Sequence, residues 1–103
     1  MHLVQILLPL RDNQGRPFPR AALERVKQEL TRQFGGVTAH LRAPAEGAWR
    51  EEDGGPVSTD DVVLVEVMAE HVDRFWWRLY REELAQRFRQ EEVLVRSIAV
   101  ESL

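Results

Sequence analysis

Cysteine is absent from this 103-residue chain. Disulfides, thiolate metal sites and cysteine nucleophiles are excluded with it. The absence fits a reducing compartment. Histidine is scarce, and His2, His40 and His71 show no paired spacing that would hold a metal. No metal and no cofactor is expected. A basic block is missing too: the 14 Lys and Arg are interspersed among 17 Asp and Glu, for a net charge of −3. The electrostatic footprint of a nucleic-acid binder is therefore lacking. The apolar run Ile6-Leu7-Leu8-Pro9-Leu10 follows no basic segment and is far too short to span a bilayer. The chain reads as cytoplasmic, with neither membrane nor nucleic acid as partner. Gly-rich phosphate loops, the G-x-S-x-G elbow and dinucleotide fingerprints are also absent.

What is present is a regular alternation of short elements. A chain of this length forms one domain and buries roughly 60–65% of its unfolded surface, enough for a core without staples. Leu3 to Leu10 is a strand (β1), ended by the loop signal Arg11-Asp12-Asn13-Gln14-Gly15. Leu23, Val26, Leu30 and Phe34 follow at helical spacing, which predicts helix α1 from about Pro19 to Phe34. Gly35-Gly36 supplies its stop. Val37 to Arg42 alternates as strand β2. Residues 43–61 are too long for a tight turn, so part of them should extend the flanking strands. An exposed tip is expected at Asp53-Gly54-Gly55-Pro56. Val62 to Met68 is a central strand (β3), His71 to Gln90 a helix (α2) with Asp73 at its start, and Val93 to Val100 the last strand (β4). The order βαββαβ predicts an α+β, ferredoxin-like fold. It has a four-stranded antiparallel sheet of order 4-1-3-2 and both helices on one face.

Alternation along the strands divides the sheet residues. Val4, Ile6, Leu8, Val37, Ala39, Leu41, Val63, Val65, Val67, Val93, Val95 and Ala99 form an apolar set that belongs under the helices. The other set is mixed. Leu3, Leu7, Leu64, Met68, Leu94 and Ile98 would leave an apolar patch on a face that no helix covers. A second copy of the chain is the simplest cover, so a homodimer through this open face is expected. RNA-binding domains of this fold stack bases on aromatic residues of the sheet, and here that face has none.

Glu66 stands out among Val65, Val67 and Met68, because a buried carboxylate needs a partner. Arg42 and Arg96 share its face. One reading is a satisfied ion pair or a glutamate at the rim of a dimer interface. The other is an acid–base or ligand-orienting carboxylate, with Arg42 and His40 as further catalytic candidates and Gln5 and Arg96 as ligand-binding ones. Helix α2 carries two apolar arcs, Val72, Phe75, Trp76 and Leu79, and Trp77, Tyr80, Leu84 and Phe88. Together they span roughly 220°, wider than the ~100° stripe that sits on a sheet. The first arc is expected on the sheet and the second under α1 or the long β2–β3 segment. Alternatively Trp49, Trp77 and Tyr80 line a pocket or interface. Arg11 and Arg16 beside the start of α1 could hold an anion, but a solvated loop is the simpler reading.

The runs Leu41-Arg42-Ala43-Pro44-Ala45-Glu46-Gly47-Ala48-Trp49 and Asp60-Asp61-Val62-Val63-Leu64-Val65-Glu66-Val67-Met68, with Trp76-Trp77 and Arg87-Phe88-Arg89-Gln90-Glu91-Glu92, resemble a group of small uncharacterised bacterial proteins. The resemblance spans nearly the whole chain. It implies a stand-alone bacterial protein and brings no catalytic residues. In fold the chain is also similar to the dimeric α/β-barrel group, which includes cofactor-free monooxygenases and isomerases. His2, where a tautomerase would carry proline, counts against that branch. Two functions stay open. One is a homodimeric module that binds a small molecule or a protein. The other is a small metal-free enzyme, monooxygenase- or isomerase-like, with its pocket on the open sheet face.

Overall fold

The computed structural model describes the backbone of residues 1–50 and 57–103, and the side chains of residues 1–39 and 62–103. The expected tip at Asp53-Gly54-Gly55-Pro56 and the side chains of His40, Leu41, Arg42 and Trp49 lie outside the described residues. The elements run β1 (His2–Pro9), α1 (Arg20–Phe34), β2 (Thr38–Arg50), β3 (Val57–Ala69), α2 (Arg74–Arg87) and β4 (Leu94–Ala99). They form one four-stranded sheet in the order β2-β3-β1-β4, which is the expected 4-1-3-2 order viewed from its other edge. Every neighbouring pair is antiparallel. Beyond Val62, which pairs with Pro9, β3 continues with β2 alone as far as Arg50↔Val57. The anticipated extension of both strands is thus present.

The β2–β3 register shifts between His40 and Ala45. Pro44 lies in this interval; proline has no N–H to give to a ladder and is found at edges and bulges. Strict alternation therefore does not carry from Thr38 through Arg42.

Local chemistry accounts for the helix ends. Gly35 adopts φ +85°, and its amide donates to the carbonyl of Thr31, closing α1 with a left-handed residue. The carboxylate of Asp73 accepts from the amide of Trp76 at 3.1 Å and caps α2. This helix stops three residues before the expected Gln90. Arg89 takes a positive φ of 51° there, which breaks the helical path.

The core lies between one sheet face and the two helices. Val4, Ile6 and Leu8 of β1 and Val63, Val65 and Val67 of β3 are buried, together with Val26 and Leu30 of α1. Ala99, expected in this set, is exposed near the end of β4, where neither helix covers it. The second arc of α2, not the first, supplies the deep burial, while Val72 and Trp76 of the first are only partly buried. Trp77, Tyr80, Leu84 and Phe88 are buried, whereas Phe75 and Leu79 are 65% and 49% exposed. Length decides between them. The buried arc runs the whole helix at intervals of three and four residues, while the other ends at Leu79, before the acids Glu82 and Glu83. Phe34 stacks on Trp77 with centroids 5.2 Å apart and meets the edge of Trp76, tying the end of α1 to the start of α2.

A charged clasp joins the helices at the surface of this core. Arg87 of α2 donates from both terminal nitrogens to Glu29 of α1, at 2.6 and 2.7 Å. The Tyr80 hydroxyl donates to the same carboxylate at 3.1 Å, and Glu83 takes a further contact from Arg87 at 3.0 Å. The hydrogen bonds from Arg87 hold the Glu29 carboxyl below its ordinary value, against the opposing effect of partial burial. Burial, and then the charge of Glu29, push the Tyr80 phenol up.

Two predictions follow from this packing. Leu84→Ala should lower stability by about 2–5 kcal/mol, read from the urea midpoint, whereas Phe75→Ala should cost less than about 1 kcal/mol. Equal effects would contradict the arc assignment. The clasp also sets a pH dependence. Glu29 regains its ordinary value near 4.5 on unfolding, so its contribution is complete above that pH and is lost as pH falls through the lower folded value. Glu29→Gln should remove about 1–2 kcal/mol near neutrality and flatten the acid limb of stability measured from about pH 7 to about pH 3.

Candidate functional site

The open sheet face is built from three rows that cross the strands. The central row is Thr38–Glu66–Gln5–Arg96, fixed by the pairings Thr38↔Glu66, Gln5↔Glu66 and Gln5↔Arg96. One neighbouring row holds Met68, Leu3 and Ile98; the other holds Leu64, Leu7 and Leu94, with His40 opposite Leu64. A polar line thus runs between two apolar ones. The apolar rows are open: Met68, Leu94 and Ile98 are 47%, 48% and 46% exposed.

Within the polar row the side chains are hydrogen-bonded in sequence. Gln5 donates from Nε2 to Oε2 of Glu66 at 3.0 Å, and its Oε1 accepts from Nε of Arg96 at 2.7 Å. The amide has both a donor and an acceptor and can serve both neighbours at once. Arg96 and Glu66 were expected on one face. They stand on strands separated by β1, about 10 Å apart at the ordinary strand spacing. Gln5 fills the gap and links the two charges. Glu66 is half-buried, not sealed in the core. The row therefore presents a carboxylate, an amide and a guanidinium to whatever meets the face.

A cavity of about 440 Å³ opens at one end of this row. Thr38, Glu66, Leu3 and Met68 line it from the sheet, and Phe34 and Gly36 from the α1–β2 connection. It combines an apolar wall with one carboxylate and one hydroxyl, which suits a small ligand that donates a hydrogen bond.

Two of the other candidates fall elsewhere. Trp77 and Tyr80 are each 6% exposed and belong to the core. Their aromatic area closes the space between α1 and α2, and the Tyr80 hydroxyl is held by Glu29. His40 and Arg42 were grouped with Glu66 by strict alternation. The register puts Thr38 opposite Glu66 and His40 opposite Leu64, and the side chains of His40 and Arg42 lie outside the described residues. The loop between β1 and α1 closes on itself. Asp12 accepts from the amides of Gln14 and Arg16, each at 2.9 Å, and Arg11 donates to the carbonyl of Gly15 at 3.1 Å. The amide of Arg16 draws the Asp12 carboxyl below its usual range. A carboxylate held in the loop opposes an anion there.

Thr38 was not singled out in the sequence. The signal that could have found it is the register, since alternation placed it on the correct face. Among the described residues no group of three acidic or histidine side chains could hold a metal ion, and no helix is long and apolar enough to cross a membrane.

No protein-family model matches the chain, and no curated protein matches its sequence. Solved structures do match its fold. A phage SAM lyase in complex with S-methyl-5'-thioadenosine is 17% identical, with a TM-score of 0.59 over 94% of this chain and 79% of that one. A phage SAM lyase in the apo state is 13% identical, with a TM-score of 0.61 over 94% and 78%. At these identities the likeness concerns the fold: a small α/β unit with a four-stranded antiparallel sheet and two helices.

Proposed function

We propose that the protein is a homodimeric module that binds a small molecule on the open sheet face. The observation that carries this reading is the row pattern. A hydrogen-bonded polar line, Glu66–Gln5–Arg96, lies between two apolar rows in which Met68, Leu94 and Ile98 are exposed and Leu3, Leu7 and Leu64 half-buried. Two copies related by a two-fold axis parallel to β1 at Gln5 would set the Arg96 end of one polar row against the Glu66 end of the other, and each apolar row against itself. Such self-matching is what a symmetric interface requires. It would also cover a patch that is costly to leave in water.

Thr38 and Glu66 would supply the polar contacts of the ligand, with Gln5 holding Glu66 in place. The likeness in fold to a lyase structure that holds S-methyl-5'-thioadenosine supports a thionucleoside as the first probe. A nucleoside pairs an apolar ring with hydroxyl and amino donors, and the cavity pairs an apolar wall with the Glu66 carboxylate. The same cavity supports the second reading, a metal-free enzyme with Glu66 as its acid–base group.

Light scattering on the purified protein should return twice the 12.0 kDa chain mass. Ile98→Asp should return a folded monomer, because Ile98 is exposed and carries little of the core. A monomeric parent protein at high concentration would sink the dimer. Calorimetric titration with S-methyl-5'-thioadenosine and with SAM should give saturable binding of at least one of them. Glu66→Gln should weaken that binding about tenfold or more, the effect expected when a charged hydrogen-bond acceptor is lost. Binding unchanged by Glu66→Gln would remove the carboxylate from the site. Consumption of SAM by the parent protein but not by this variant would favour the enzyme.

A further inference from the structure

On the opposite side of the sheet, a second cavity of about 360 Å³ lies in the angle between α2 and the edge strand β4. Its floor is apolar, with Trp77, Val4 and Val95. Its rim carries Arg74, Arg78 and Arg81 from the helix and Ser97 from the strand, and no acid lines it. Arg96 also borders it, but its guanidinium donates to Gln5.

The three helix arginines are spaced by four and three residues, so the helix turn brings them to one flank. None of them forms an ion pair among the described residues, whereas Arg25, Lys27 and Arg87 all do. The placement opposes helix stability in two ways. Like charges at these spacings repel. Arg74 also occupies the first turn, where the helix dipole disfavours a cation, and only the capping carboxylate of Asp73 offsets it. A chain with 17 acids and a net charge of −3 leaves this concavity purely cationic.

We propose that this cavity is an anion site for a small phosphate ester with an apolar, planar body. The guanidinium groups present paired donors that match phosphate oxygens, and the Ser97 hydroxyl adds one more. The Trp77 floor takes the body of the ligand. Apart from Arg96 this cavity shares no residue with the open-face row, and in the proposed dimer each protomer would hold one.

The probe is phenyl phosphate, titrated into isotopically labelled protein and followed by amide chemical shifts. Saturable shifts should gather at residues 74–81 and 95–97. Arg78→Gln should weaken binding about tenfold, and the triple change Arg74→Gln, Arg78→Gln, Arg81→Gln should abolish it. These arginines lie outside the core, so the variants should keep the parent fold, checked by the same spectra. Benzyl alcohol should give no saturable shift, and inorganic phosphate should bind more weakly than phenyl phosphate. The proposal fails if phenyl phosphate gives no saturable shift, if the triple variant binds like the parent, or if inorganic phosphate binds equally well. It also fails if only a mixed-sequence oligonucleotide binds, since that is the signature of unspecific charge attraction.

Discussion

Strand β1 is the constraint on which the rest of the molecule depends. It alone pairs on both sides with strands from the second half of the chain, β3 and β4. Its eight residues alternate without interruption between Val4, Ile6 and Leu8, which are buried, and Leu3, Gln5 and Leu7, which are half-buried on the other face. A slip of one residue would exchange the two faces entirely. It would place Gln5 beneath the helices, where an amide without partners costs free energy, and expose the valine and isoleucine of the core. The hydrophobic difference between the faces therefore fixes the register. The register in turn lines up Thr38, Glu66, Gln5 and Arg96, so the candidate site is a consequence of core packing on the reverse side of the same strands.

Helix α2 shows a comparable economy. One arc, from Trp77 to Phe88, fills the core. One flank carries Arg74, Arg78 and Arg81 above β4. Toward its C-terminus, Arg87 closes the clasp onto Glu29 of α1. A helix only has to bury one stripe to be held in place. Once the Trp77–Phe88 stripe is buried, the remaining faces are free to carry charge, and most of the cost of an unfavourable arrangement such as the arginine flank is absorbed by the core contacts.

The fold was legible because its signals are local and repeated. Periods of two and of 3.6, Gly35-Gly36 at one helix end and Asp73 at the start of another are sufficient to order the elements. The sheet order follows from βαββαβ, and the observed sheet agrees. The candidate site was legible in part. Gln5, Glu66 and Arg96 were grouped on one face, and the hydrogen bonds connect them. What alternation could not supply was the offset between strands. The β2–β3 register sets Thr38 in line with Glu66. The order of the arcs on α2 was legible in principle, since only one of them runs the length of the helix. The arginine flank was hidden for another reason. In sequence its members stand among Phe75, Trp76, Leu79 and Glu82, and only the helix turn and the nearness of β4 gather them.

The two surfaces differ in what their charges do. On the open face Arg96 is linked through Gln5 to a carboxylate, so its charge is answered within the chain and the row is close to neutral. Such a row brings no net charge to a pairing with its own copy, and the remaining N–H donors of Arg96 can meet a Glu66 carboxylate across the interface. Above β4 the three guanidinium groups have no such answer among the described residues. Burying that surface against an identical copy would oppose like charges across an interface, at several kcal/mol by the usual cost of such juxtaposition. The first surface is therefore suited to self-association and the second is guarded against it. The charge pattern thus sets the open face, and not the cationic one, as the surface for the pairing proposed above.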